Sequence, residues 1–205
     1  KSERGFADYG WLKTFHTFSF SEYYDPNWMG FGPLRVINED SIAGGGGFPT
    51  HGHKDMEIVS YVLDGALEHK DSLGTGSVLQ AGDVQRMSAG TGVRHSEFNG
   101  SKEFPVHFLQ IWISPRTQGT TPSYQEKSFK KSEKLNRFKL IVSCDGEEDS
   151  IQINQDIRIF ATVLEPGKKL EFKLNKDRYA WVQIVRGSIS VAGTRLDSGD
   201  GIALG

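Results

Sequence analysis

Residues 51–98 carry the clearest structural pattern in the sequence and read HGHKDMEIVSYVLDGALEHKDSLGTGSVLQAGDVQRMSAGTGVRHSEF. Short apolar and β-branched runs alternate there with glycine-containing turns, and Asp64-Gly65 is a typical hairpin turn. Strands at this close spacing indicate a β-sandwich or a β-barrel. In this region and directly after it, we predict strands at 57–63, 66–70, 77–80, 84–87, 94–98 and 106–114.

The composition changes between residues 116 and 136, where Thr, Gln, Ser and Lys dominate. We therefore predict a domain at 1–115, a connecting segment at 116–136 and a second domain at 137–205. The chain stops in what reads as the beginning of a strand, so we expect the second domain to lack its last strands. Its strands are predicted at 138–144, 152–163, 169–174, 181–185 and 188–191.

The two halves show signs of an internal repeat. A shift of 122 residues places Gly45 on Gly167 and Gly65 on Gly187, with apolar residues before the second glycine in both halves. The same shift carries residues 51 and 53 to Lys173 and Asn175. The second half should therefore repeat the fold without the histidines of the first.

Charge and cysteine content narrow the function. The 24 basic and 26 acidic residues nearly balance, which argues against direct nucleic-acid binding. No apolar run is long enough to span a bilayer. The single cysteine, Cys144, excludes an internal disulfide and fits a reducing cytoplasm.

His51-Gly52-His53 and His95-Ser96-Glu97 are the candidate chemical site. Residues two apart on a strand point to the same face, so each pair can present two ligands to one point. Three imidazoles and one carboxylate predict a site for one divalent transition metal: Fe, Ni, Cu, Co, Mn or Zn. A closed structural zinc site would favour thiolates, and this pattern contains none.

Spacing alone leaves the carboxylate open between Glu57 and Glu97, since both lie at even intervals from a histidine. His16, His69 and His107 stand alone, and we predict that each is a packed or surface side chain. Bulky aromatic residues follow the same strands and are expected either to line an apolar mouth or to fill the core: Phe48, Phe98, Phe108 and Trp112.

Several segments resemble the pirin-like cupins: residues 11–25 with HTFSF at 16–20, Met29-Gly30, residues 51–59, and MSAGTGVRHSE at 87–97. The resemblance implies an all-β bicupin, with two β-barrel or jelly-roll domains and a metal site in the N-terminal barrel only. It also implies that Glu97 is the fourth metal ligand and a general base. Among the candidate metals, iron is the one that we expect first. Glu57 is then expected to hydrogen-bond a ligand histidine.

The resemblance further implies an oxidoreductase of the quercetin 2,3-dioxygenase (quercetinase) type, which cleaves a flavonol with dioxygen and releases carbon monoxide. Its partners would be a small aromatic substrate and dioxygen, with no membrane contact. The alternative is a regulatory protein whose metal tunes a surface that binds a transcription factor or a metabolic enzyme. A sugar-binding or isomerase cupin is a third hypothesis, which the 87–97 segment disfavours.

Overall fold

The computed structural model describes residues 2–205 and confirms an almost entirely β fold. The first half consists of a seven-stranded sheet, in the order β1-β2-β3-β10-β5-β8-β11, and a four-stranded sheet, β4-β9-β6-β7. Its strands are β1 (Gly5–Asp8), β2 (Leu12–His16), β3 (Leu34–Ile42), β4 (Gly47–His53), β5 (Glu57–Asp64), β6 (Ala66–Asp71), β7 (Gly76–Gln80), β8 (Asp83–Ser88), β9 (Val93–Asn99), β10 (Val106–Ile113) and β11 (Ser123–Ser128).

The six strands predicted between residues 57 and 114 are confirmed, and each observed end lies within one residue of its predicted position. Side chains alternate along these strands, so one face of the seven-stranded sheet turns toward the smaller sheet. Val62 and Phe108 on that face pack against Leu67 and Leu79 of the smaller sheet, and all four are buried. This contact closes the two sheets into a barrel.

The segment 116–136 is more than a connection. It contributes β11, which pairs antiparallel with β8 from Ser123 opposite Ser88 to Ser128 opposite Asp83. The predicted connecting segment therefore also supplies an edge strand to the first half. Most side chains of this edge strand face solvent, so its composition is polar. Tyr124 nevertheless reaches the barrel interior.

The second half is built from smaller sheets in the orders β13-β12-β14, β15-β18 and β16-β17. The predicted strand at 169–174 does not form, because these mostly exposed residues have no neighbouring strand to pair with. The remaining elements are α1 (Lys131–Lys134), β12 (Lys139–Ser143), a 3-10 turn (Glu147–Asp149), β13 (Ile151–Gln152), β14 (Arg158–Ala161), β15 (Ala180–Gln183), β16 (Ser188–Val191), β17 (Thr194–Asp197) and β18 (Gly201–Leu204).

Two turns of the second half repeat the backbone conformation of the matching turns in the first. Gly45 and Gly167 have φ of 74° and 76°, and Gly65 and Gly187 have φ of 76° and 77°. All four occupy the left-handed region, which glycine adopts without steric cost.

Equivalent hydrogen bonds occur in the two halves, with donors 117 residues apart and acceptors 122 residues apart. The amide of Gly82 donates to the carbonyl of Val62 at 2.9 Å, and the amide of Gly199 donates to the carbonyl of Ile184 at 2.7 Å. Val62 and Ile184 are 122 residues apart, which is the shift expected from the sequence.

The halves share a core on the outer face of the seven-stranded sheet. Val59 and Val84 of the first half pack there against Ile141, Val142 and other apolar residues of the second. Among residues 2–205, no helix has the length and apolar character needed to cross a bilayer.

Candidate metal centre

Two neighbouring strands bring three histidines together in the first barrel. His51 and His53 face the same side of β4, and the register of β4 against β9 places His95 directly opposite His51. Nε2 of His95 lies 3.0 Å from Nε2 of His51 and 3.0 Å from Nε2 of His53. The donor atoms of all three lie within 4.8 Å of one another. Three of the four predicted ligands therefore converge on one point.

Burial favours the neutral form of two of the three histidines. Nδ1 of His51 donates to the carbonyl of Pro49 at 2.8 Å, which turns Nε2 of His51 toward the other two rings. Burial, reinforced by His51, lowers the pKa of His53 to about 4. Burial lowers the pKa of His95 to about 2, with smaller contributions from the neighbouring histidines. Deprotonated imidazole is the form that binds metals.

The spacing of these nitrogens fits a metal ion. Metal–nitrogen bonds of about 2.1 Å at right angles hold neighbouring nitrogens about 3.0 Å apart. Both close pairs have this separation. Imidazole donors without a thiolate suit a divalent transition metal.

Glu97 lies two residues beyond His95 on β9 and is completely buried. Its Oε1 accepts hydrogen bonds from Gln85 Nε2 at 2.7 Å and from Ser60 Oγ at 3.1 Å. Its Oε2 accepts a hydrogen bond from Gln110 Nε2 at 2.8 Å. Three donors from the opposite sheet thus hold this carboxylate in one orientation.

The carboxylate of Glu97 belongs to a second cluster that adjoins the three histidines. Its donor atom lies within 4.8 Å of those of His69 and His95, and all three side chains are buried. His95 is common to both clusters. Burial raises the pKa of Glu97, while the nearby His69 and the hydrogen bonds act in the opposite direction.

A row of polar side chains crosses the inner face of the large sheet beneath the site. Each member lies opposite the next on the neighbouring strand. In the core of a barrel such a row needs partners, and Glu97 is the acceptor for three of its members. In the order β2, β3, β10, β5 and β8, the row consists of His16, Asn38, Gln110, Ser60 and Gln85.

His69 is the site residue that the sequence analysis missed. It is buried, in agreement with the prediction of a packed or surface side chain, but its register on β6 places it opposite Glu97, with Asp71 opposite His95. His69 Nε2 donates to Asp71 Oδ2 at 3.0 Å, and both side chains are buried. The period-two pattern His69-x-Asp71 beside a hairpin was the signal that could have found this pair.

Glu57 does not join the site, and the prediction that it hydrogen-bonds a ligand histidine is wrong. Its carboxylate accepts a hydrogen bond from Ser88 Oγ and one of 3.4 Å from the amide of Asn154. The physical reason is strand parity, since Ile58 and Ser60 point into the barrel and Glu57 points toward the second half. Burial raises the pKa of its carboxyl.

The predicted aromatic residues divide between mouth and core. Trp112 lies 5.0 Å from His53, and Phe20 lies 5.4 Å from Trp112, between ring centroids. Phe48 is 6.3 Å from His51. Phe108 is a fully buried core residue and Phe98 is partly exposed and packs over Gly47, so neither lines the mouth.

The other two single histidines lie apart from the three-histidine cluster. His16 is buried beside Phe20, with ring centroids 5.2 Å apart. His107 Nε2 is 3.1 Å from Glu39 Oε1 near the surface. Both agree with the prediction of packed or surface side chains.

A repeated β-barrel fold, with converging histidines in its first copy only, defines a two-domain cupin with a candidate metal site. Comparison with known proteins makes the assignment narrower. The sequence profile named Pirin matches residues 1–113, and the profile of the quercetinase C-terminal cupin domain matches residues 140–205. The chain belongs to the pirin family.

Its relatives cover nearly the whole chain. A protein of Escherichia coli K12 named quercetin 2,3-dioxygenase is 44% identical over 203 residues, which is 99% of this chain and 87% of the relative. A pirin-like protein of Caulobacter vibrioides is 44% identical over 98% of this chain and 86% of its own length. The crystal structure of the bacterial pirin YhhW of E. coli in complex with nickel(II) matches with a TM-score of 0.94, at 44% identity, over 99% of this chain and 86% of that one.

Proposed function

We propose that this chain is a metal-dependent dioxygenase that cleaves a flavonol such as quercetin with dioxygen and releases carbon monoxide. One observation carries the proposal: three imidazoles converge beside a buried carboxylate, with the ring of Trp112 5.0 Å from that of His53. The relatives support it, because a protein named quercetin 2,3-dioxygenase is 44% identical over nearly the whole chain.

His51, His53, His95 and Glu97 are the proposed metal ligands. Iron is the metal that we propose, while nickel(II) is the ion held by the related YhhW. A divalent metal at this position would supply Lewis acidity toward a substrate hydroxyl and an open coordination position. The second domain, with Lys173 and Asn175 at the equivalent positions, is proposed to take no part in binding it.

The aromatic residues at the mouth are proposed to hold the flat rings of the substrate. Trp112 and Phe20 pack edge to face, with an interplanar angle of 87°, and form a wall beside His53. Such a wall excludes water from the reacting oxygen and stacks well against a planar aromatic ligand.

Glu97 is the proposed general base. The O–H bond of the flavonol 3-hydroxyl would break and the proton would pass to a carboxylate oxygen of Glu97, which leaves an electron-rich substrate anion for dioxygen. Burial raises the pKa of this carboxyl, which makes it a better proton acceptor than an exposed glutamate.

The test is a turnover assay on metal-loaded protein. Quercetin in air should lose its flavonol absorbance and release carbon monoxide, and His51→Ala and Glu97→Gln should each abolish this. His107→Ala is the matched control, because His107 contacts Glu39 away from the site. A metal-loaded chain that leaves quercetin intact with each candidate metal refutes the proposal and favours the regulatory alternative.

We also propose a cytoplasmic location. The support is Cys144, which is a free thiol in a chain with no second cysteine. Reduced thiols of this kind are typical of the cytoplasm.

A further inference from the structure

A hydrogen-bonded turn anchors the side chain of His69 behind the candidate metal site. Asp71 Oδ1 accepts from the amides of Leu73 and Thr75 at 2.9 and 3.0 Å. Its Oδ2 accepts from Nε2 of His69 at 3.0 Å. Because a carboxylate held by two backbone amides has little freedom, the turn fixes the position of the His69 ring.

The His69 ring in turn supports Tyr124. The two rings stack with centroids 4.7 Å apart and an interplanar angle of 24°. The Tyr124 hydroxyl lies 3.0 Å from Gln85 Oε1, 2.7 Å from Glu126 Oε2 and 2.8 Å from Ser77 Oγ. A phenol has one proton to donate, and Ser77 can donate to its oxygen. Gln85 Oε1 and Glu126 Oε2 share this proton, and Tyr124 is the donor that faces the carbonyl of Gln85.

Gln85 carries this arrangement to Glu97. Its Nε2 donates to Glu97 Oε1 at 2.7 Å and to Ser60 Oγ at 3.1 Å. The opposite amide orientation would set the carbonyl oxygen of Gln85 against the carboxylate, where both atoms only accept. The Tyr124 hydroxyl donates to Oε1 of Gln85. This hydrogen bond stabilises the amide orientation in which Nε2 of Gln85 donates to Glu97.

We propose that Tyr124 and His69 are positioning residues for the metal centre, which act through the amide orientation of Gln85 on the carboxylate of Glu97. The Tyr124 network consists of Asp71, His69, Tyr124 and Gln85. Its consequences for turnover and for metal affinity rest on the proposed function and its ligand set, whereas its consequence for the amide orientation of Gln85 does not.

The experiment compares Tyr124→Phe with Ser77→Ala. The first removes the hydroxyl that faces Gln85 and keeps the ring against His69, and the second removes a neighbouring contact of the same hydroxyl without touching Gln85. In the metal-free protein, we expect the side-chain amide protons of Gln85 to exchange with solvent at least about tenfold faster in Tyr124→Phe only. Chelator competition should show metal affinity lower by about 10- to 100-fold in Tyr124→Phe and unchanged in Ser77→Ala.

A second variant, His69→Phe, keeps a ring against Tyr124 and removes the donor to Asp71, so we expect a loss of metal affinity in the same direction. Under the proposed function, kcat falls in both network variants while KM for quercetin stays near the wild-type value. Wild-type metal affinity and wild-type Gln85 exchange in Tyr124→Phe overturn the proposal. A loss of affinity in a protein that never cleaves quercetin supports the network and refutes only the proposed function. A wild-type chain that binds no candidate metal overturns both.

Discussion

Asp40 should make the stability of this protein fall as the pH rises, and Asp40→Asn should remove that dependence. Asp40 lies on β3 inside the first barrel, almost completely buried, and its Oδ1 has no hydrogen-bond partner among the described residues. Burial raises the pKa of its carboxyl from 3.8 to about 7, and the charges of Glu97 and Glu39 add to the effect, whereas a hydrogen bond with Thr14 opposes it.

The sign follows from proton binding. The folded chain holds a proton on Asp40 up to about pH 7, whereas the unfolded chain loses it near pH 3.8. The contribution of Asp40 is therefore fully present below about pH 4 and is lost as the pH rises through 7. The loss is about 1.4 kcal/mol per pH unit within this window and about 4 kcal/mol in total. The amide side chain of the Asp40→Asn variant carries no charge at any of these pH values.

Urea unfolding of metal-free protein between pH 5 and pH 8.5 measures the effect, with a chelator present because bound metal would itself shift stability. As the pH rises to about 7, the unfolding free energy of Asp40→Asn should increase steadily relative to that of wild type. Above this pH the difference should stay constant. Asp8→Asn, at an exposed position on β1, is the control and should follow wild type. The same pH slope in Asp40→Asn and wild type would show that the buried carboxyl is charged in the folded protein.

Three further substitutions have defined outcomes. Trp112→Phe keeps a ring beside His53 but removes the indole N–H that donates to Gln110 Oε1 at 3.1 Å. The loss of one hydrogen bond, about 1 kcal/mol, should lower kcat/KM for quercetin about fivefold. Unchanged kinetics would show that this hydrogen bond does not contribute to catalysis. Ile141→Ala opens a cavity in the core shared by the two halves and should cost about 2–5 kcal/mol in urea unfolding, a loss below 1 kcal/mol being inconsistent with a tight interface. Asn99→Ala removes the side-chain donor to the carbonyl of Ile42, at the end of β3, and to that of Phe104. It should cost about 2–4 kcal/mol, which a melting curve equal to wild type would contradict.

Much of the first barrel could be predicted because its signals are local. The apolar, β-branched run at 57–63 and the turn at Asp64-Gly65 depend only on neighbouring residues, and β5 and β6 form there. The shared face of His51 and His53 follows in the same way. The strand at 169–174 was mispredicted because an apolar pattern without a pairing partner leaves the backbone hydrogen bonds unmade.

Polar strands were harder to recognise. β11 has the composition of a linker, and only its pairing with β8 shows that it completes the large sheet. Tyr124 would otherwise read as a loop tyrosine, although its hydroxyl reaches Gln85 inside the barrel. Edge strands face solvent on one side, so their hydrophobic signal is weak.

The sequence by itself determined that His51 and His53 share one face, because a spacing of two has one geometric meaning on a strand. Only the tertiary structure decided which carboxylate lies beside the histidines. Parity allowed Glu57 and Glu97 alike, but closure of the barrel turns Glu97 inward and Glu57 toward the second domain. The pairing of β6 with β9, which also places His69 opposite Glu97, joins residues far apart along the chain. Such register is set by packing of the whole barrel, and no local pattern records it.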